Sequence, residues 1–258
     1  MTLRSGRVVP ALLLLASCSS SPPPAEPAAP VLPVARVWSL PAEWETLTPN
    51  AFEAWVVREL PDGMATPFDK AALRTLAAAL DRMDASSVRA AVLLGRSRHI
   101  TSTSILIRRL EKRVIGPQRN SDCGDSVAAA ALARFPDPAR YAQRLVPLAS
   151  GKNPHPDLEV RVECAATALF AGYAQVVPFL LQVLRIDTWE GQEDQRDFAV
   201  SPTTAWARGR AAQALSQYAS VPFTYQTDGS IQHREHEARE LERLLAPPSA
   251  AGVGASQN

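Results

Sequence analysis

Residues 160–181, VRVECAATALFAGYAQVVPFLL, decide how the rest of the chain is read. Val160-Arg161 leads through Ala166-Thr167-Ala168-Leu169 to a stop at Gly172. Val176-Val177-Pro178-Phe179-Leu180-Leu181 then opens a second apolar helix after a short turn. The same pairing recurs on both sides. Ser87-Val88-Arg89-Ala90-Ala91-Val92-Leu93-Leu94-Gly95 precedes a helix expected around residues 102–114, which carries Ile105, Leu106 and Leu110. Ser126-Val127-Ala128-Ala129-Ala130-Ala131-Leu132 precedes one running from Pro138 through Tyr141, Leu145 and Leu148 to Gly151. Ala207 to Leu215 precedes one near residues 231–245, capped by Ser230. With Leu132, Leu169 and Leu215 taken as equivalent, the spacings are 37 and 46 residues, which is the period of stacked helical hairpins. Upstream, Thr48-Pro49 supplies a cap and a first-turn proline for Phe52, Trp55, Val56 and Leu60, and Pro61-Asp62-Gly63 ends that helix. Thr66-Pro67 repeats the start signal ahead of Leu73, Leu76, Ala77, Leu80 and Met83. No stretch of useful length alternates with the period of two that a half-buried strand requires, so the expected class is all-α.

Three of these segments carry a further likeness. Val88-Arg89 with Gly95, Ala211-Ala212-Gln213-Ala214-Leu215, and Val177-Pro178-Phe179-Leu180 resemble the two helices of the HEAT-repeat family. The resemblance spans roughly residues 66–245 and implies an α-solenoid of about four to five helical hairpins. The repeat is degenerate: Val160-Arg161 sits one residue out of register, and the second repeat lacks the arginine. Small alanines let paired helices approach closely while leucines fill the space between layers. An irregular helical bundle with alanine-rich packing is the alternative that the same pattern allows.

The 258 residues contain 27 Lys and Arg against 26 Asp and Glu, and 46% belong to the hydrophobic set. This balance excludes a charge-driven disordered chain and removes the positive field that marks a nucleic-acid binder. Three cysteines and four histidines are too few for a disulfide framework.

At the N-terminus, Arg4 and Arg7 precede an apolar run from Val8 to Leu15 that is too short to cross a bilayer core about 30 Å thick. Leu15-Ala16-Ser17-Cys18 resembles the lipobox of bacterial lipoproteins. That resemblance implies removal of a signal peptide of residues 1–17 and a covalent lipid on Cys18, with no other cofactor expected. Two or three acyl chains anchor stably, since each buried methylene contributes about 0.8 kcal/mol. Residues 18–40 then form an acylated, proline-rich tether, with Pro22, Pro23, Pro24, Pro27, Pro30 and Pro33 in a nearly uncharged stretch. At about 3.1 Å per residue such a tether reaches roughly 60 Å. Ser19 after the cysteine resembles the pattern sorted to the outer membrane, which implies a periplasm-facing location if the organism has two membranes. The helical-repeat domain is expected over residues 41–246, followed by a disordered tail over 247–258.

Within that domain the motifs His-Glu-x-x-His, Gly-x-Ser-x-Gly, a phosphate-binding glycine loop and Cys-x-x-Cys are absent. His233 and Glu237 stand at i and i+4 with His236 alongside, the best metal-like group, although Arg239, Glu240, Glu242 and Arg243 continue an ordinary solvated face. Cys123 and Cys164 are candidates for one disulfide closing a loop of about 42 residues, a stabilisation of roughly 4 kcal/mol on the chain-entropy model. Cys164 fits a small buried thiol equally well. Residues 89–119 hold a local charge of +7, with Arg96, Arg98, Arg108, Arg109, Lys112 and Arg113 as a candidate basic patch for anionic lipid or simply a wet helix face. Residues 187–200 hold a charge of −4 and lengthen one repeat. Trp189, Glu190, Glu193, Asp194 and Phe198 there are candidates for partner binding, because insertions in solenoids project and often bind. The expected function is a lipid-anchored, non-catalytic scaffold or adaptor for another cell-envelope protein, with no small-molecule substrate indicated. The competing readings are a metal- or cofactor-binding protein or enzyme using the His233/Glu237 face or Cys164, and lipid-surface binding through residues 89–119.

Overall fold

The computed structural model describes residues 37–60, 67–82, 84–113, 124–186 and 202–245. Cys18, Cys123, the 187–200 insertion and the 247–258 tail lie outside the described residues. Among the described residues the chain is all-helical, as expected: α1 (Pro49–Glu59), α2 (Lys70–Leu80), α3 (Ala85–Ser97), α4 (Ile100–Glu111), α5 (Asp125–Leu132), α6 (Ala139–Ser150), α7 (Leu158–Phe170), α8 (Val177–Arg185), α9 (Pro202–Ala219) and α10 (Ile231–Leu245). A 3-10 turn, Ala174–Val176, leads into α8.

Side chains of the residues before the helices set where they start. Thr48 accepts from the Ala51 N–H, and Asp69, Asp84 and Asp157 do the same for Ala72, Ser86 and Val160. The start of α2 differs from the sequence expectation, which placed it at Thr66-Pro67. The helix begins at Lys70, because Pro67 and Phe68 are occupied by a parallel bridge to Trp38. Phe68 is buried there, and Ser39 donates to the Asp69 carboxylate at 2.7 Å.

Helices α3, α5, α7 and α9 touch one another in chain order. On their other side α4 packs against α5 and α6, α6 against α7, and α10 against α8 and α9. Alanine makes the first row close. A Cβ on Gly95 of α3 would stand 2.6 Å from the Ala131 Cβ of α5, so the two helices meet where neither carries more than a methyl group. Leu132, Leu169 and Leu215, equivalent by sequence, are all buried in one core, together with Leu94, Leu106, Leu145 and Leu180. Trp38 and Leu40, from the last residues of the stretch read as tether, pack against this core.

Three arginines of the first row reach main-chain carbonyls of neighbouring segments. Arg89 donates to the carbonyls of Trp44, Glu45 and Leu47, Arg161 to that of Ala149, and Arg208 to those of Ile186 and Thr227. Carbonyls at helix ends lack intrahelical donors, and a guanidinium satisfies several at once. Arg89 also lies over the Phe52 ring and Arg161 over the Phe179 ring, at 5.1 and 4.4 Å. Helix α5 carries no such arginine: eight and seven residues before Leu132, where Arg161 and Arg208 stand before Leu169 and Leu215, the chain has Gly124 and Asp125.

Candidate functional site

The residues singled out in the sequence fall in different places. Of the basic group, Arg109 is buried against Asp125, and Lys112 pairs with Asp81 at 2.6 Å. Arg98 donates to the Arg134 carbonyl and Arg113 to that of Asn153. Arg96 is half-buried, and Arg108 is exposed with no partner among the described residues. Much of the +7 charge therefore serves packing between helices. The His233 Nε2 atom lies 3.1 Å from Glu237 Oε1 without hydrogen-bond alignment, the other Glu237 oxygen accepts the Gln226 N–H, and His236 is exposed. Among the described residues no group of three His, Cys, Asp or Glu side chains converges as a metal site. Cys164 is a free thiol, fully buried on α7, and burial pushes its pKa well above the ordinary thiol range. No described helix is long and apolar enough to cross a membrane.

Two arrangements were not anticipated. The first is a buried ionic cluster at the start of α5. Asp125 is fully buried and accepts from Arg109 Nε at 2.7 Å. His155 Nε2 stands 3.7 Å from its other oxygen, and Arg109 Nη1 is 3.8 Å from Asp81. His155 Nδ1 accepts the Asp157 N–H at 3.1 Å, which places the ring proton of a neutral imidazole on Nε2, toward Asp125. The cluster ties α4, α5 and the turn before α7, on the helix of the α3, α5, α7 and α9 row that carries no such arginine.

The second is a groove of about 500 Å³ between α7 and α9, at the end of α5. The buried Ala166, Leu169 and Ala214 line it together with Ala133, Arg210 and Gln217, and Phe170 and Tyr218 flank it. Phe170 is 78% exposed, although it ends an otherwise buried helix, and Tyr218 is 44% exposed. Thr167 also lines the groove. Its side chain is only 2% exposed, and its hydroxyl has no hydrogen-bond partner among the described residues. An orphaned buried hydroxyl costs about 1–3 kcal/mol, which makes it a receptive group for a ligand that reaches it.

The groove is one end of a longer face. On α7, Glu159, Glu163, Ala166 and Phe170 stand at i, i+4, i+7 and i+11 and share one side of the helix. Arg210 of α9 donates from Nε and Nη2 to the two Glu163 oxygens at 3.0 and 3.1 Å, neutralising the middle of the face. Glu159 has no cationic partner among the described residues. Burial raises its pKa, and the charges of Asp157 and Glu163 push the same way, while the Thr203 and Ser126 hydroxyls oppose the shift. Trp206, one turn beyond Thr203 on α9, is 40% exposed. The face thus runs from a carboxylate with no paired cation among the described residues, past a closed ion pair, to the groove flanked by Phe170 and Tyr218. The i, i+4, i+7, i+11 spacing was available in the sequence, but nothing there distinguished an exposed Phe170 from a core phenylalanine.

Comparison of the chain with protein-family models, with curated proteins and with solved structures returns no match.

Proposed function

We propose that this protein is a lipid-anchored, HEAT-like helical-repeat scaffold, non-catalytic, whose α5–α7–α9 face holds another cell-envelope protein. The observation that carries the reading is the groove flanked by Phe170 and Tyr218, where large apolar groups face solvent around an alanine-rich lining. Exposed aromatic side chains grouped around a cavity mark binding surfaces, because leaving them wet forgoes about 1.5–3 kcal/mol of burial each. The in-order contacts of α3, α5, α7 and α9, and the equivalent placing of Arg89, Arg161 and Arg208, support the repeat reading. In this account residues 1–17 are removed, Cys18 carries the lipid, and the proline-rich stretch holds the helical body away from the bilayer, at the outer membrane facing the periplasm in a cell with two membranes.

The experiment combines alkyne-palmitate labelling with crosslinking in the native envelope. Wild-type protein takes up label and fractionates with membranes, and Cys18→Ser abolishes both. A crosslinked partner is recovered with the wild type and lost with Phe170→Ala/Tyr218→Ala. Unlabelled protein, or a partner unaffected by the double substitution, contradicts the reading.

A further inference from the structure

We propose that the α5–α7–α9 face binds an extended segment of its partner, one that sets a lysine or arginine against Glu159 and an apolar side chain, about five residues away, in the groove between Phe170 and Tyr218. This rests on the scaffold reading above and adds the chemistry of what is held.

Charge complementarity selects the first contact. Glu159 is half-buried, faces the further carboxylates of Asp157 and Glu163, and has no cation paired to it among the described residues. Glu163 is already neutralised through both oxygens by Arg210, so the uncompensated charge of the face is concentrated at Glu159. A cation arriving there meets a carboxylate with its solvation already reduced, and the exposed Trp206 stands one turn from Thr203, which bonds Glu159. An anionic segment would set a further negative charge against Glu159 and Asp157 and is disfavoured by the same geometry.

The groove selects the second contact. Its lining is mostly alanine, leucine and the two aromatic rings, with Arg210 already engaged by Glu163 and Gln217 as the other polar members, so it takes an apolar side chain. Thr167 supplies one hydroxyl at the groove lining, closed to solvent and unpartnered among the described residues, which a main-chain N–H or C=O of the bound segment meets once the side chains around it give way. Main-chain bonding of this kind fits an extended segment, whose backbone groups are unpaired, and not a helix, whose groups are already used.

The spacing follows from helix geometry. Glu159 and Phe170 are eleven residues apart on one side of α7, a rise of about 16 Å at 1.5 Å per residue. An extended chain covers that distance in about five residues at 3.3 Å each.

The test uses the purified full-length chain and three fluorescent synthetic dodecapeptides with Ser/Ala/Gly filler. One carries Lys and Phe five positions apart, one has Glu in place of Lys, and one has Lys and Phe two positions apart. Anisotropy titration is expected to give the first peptide a Kd at least about tenfold lower than either other. Glu159→Gln should erase its advantage over the Glu peptide, while Glu159→Asp retains most of it. Phe170→Ala should weaken the Lys and Glu peptides alike, and Thr167→Val, which keeps shape and removes the hydroxyl, should weaken binding about two- to tenfold. Far-UV circular dichroism checks that each variant is folded. Equal affinity for all three peptides, no binding at millimolar concentration, or an unchanged Kd in a folded Glu159→Gln protein overturns the proposal. If the envelope partner is still captured through Phe170 while the peptides fail, the scaffold reading stands and the extended-segment proposal falls. If capture fails as well, both fall.

Discussion

Replacing Asp125 by alanine removes the acceptor around which Arg109 and His155 are arranged, and the cost follows from what is left behind. The aspartate is fully buried and Arg109 nearly so, with the remaining carboxylate within reach, that of Asp81, at 3.8 Å. Removing one partner of a buried ion pair leaves an uncompensated charge and costs about 3–5 kcal/mol, far more than an exposed pair contributes. In a helical body of this size about 1 kcal/mol shifts Tm by 2–4 °C, so Asp125→Ala should melt roughly 10 °C lower than wild type. The double substitution Arg109→Met/Asp125→Ala removes the buried guanidinium as well and should recover at least half of that loss. Urea unfolding followed by far-UV circular dichroism measures both, with the exposed Arg140→Ala as a control expected to stay within about 0.5 kcal/mol. A loss below about 1 kcal/mol for Asp125→Ala, or a double variant no better than the single one, would refute the view that this cluster joins α4, α5 and the turn before α7.

Three further outcomes follow from the same geometry. Glu159 has its pKa raised in the folded state, so the fold binds its proton more tightly than the unfolded chain does. Its contribution is therefore lost as pH rises from the ordinary carboxyl value of 4.5 through the folded value; Glu159→Gln should be more stable than wild type at pH 7, with the difference shrinking as pH falls through that window in denaturant titrations. Cys164 should resist iodoacetamide in native buffer and become fully alkylated in urea, as read by peptide mass mapping; rapid native labelling would contradict its burial. Gly95→Ala drives a Cβ to 2.6 Å from that of Ala131 and should destabilise by about 1–3 kcal/mol, whereas the same change at Gly172, which has open space but φ of +92°, acts through backbone strain alone.

The helices were largely legible because caps and periodicity are local. Ser230 and the stripe after it mark α10, observed as Ile231–Leu245, and Thr48-Pro49 marks α1. The start of α2 was misplaced because the Trp38–Phe68 bridge is a tertiary event that uses residues resembling a cap. The face between α7 and α9 was not legible for a related reason. Phe170 and Tyr218 sit at apolar helical spacing, and only the neighbouring helices determine that these two rings face solvent while Leu169 and Leu215 do not. The basic stretch misled in the opposite direction: its charges look like a surface patch in one dimension, yet Arg109 is turned inward by Asp125, sixteen residues downstream. Asp125 itself reads as an ordinary first-turn acid of α5, and its meeting with His155 depends on a contact thirty residues long.

A photo-crosslinking amino acid placed at position 170 in the full-length protein in living cells tests the binding face most directly, with position 57, also exposed on α1 (55% against 78%), as the control. Irradiation should produce a discrete adduct with one envelope protein from position 170 and none from position 57. Equal adducts from both positions, or none from position 170, would contradict a binding face between α7 and α9.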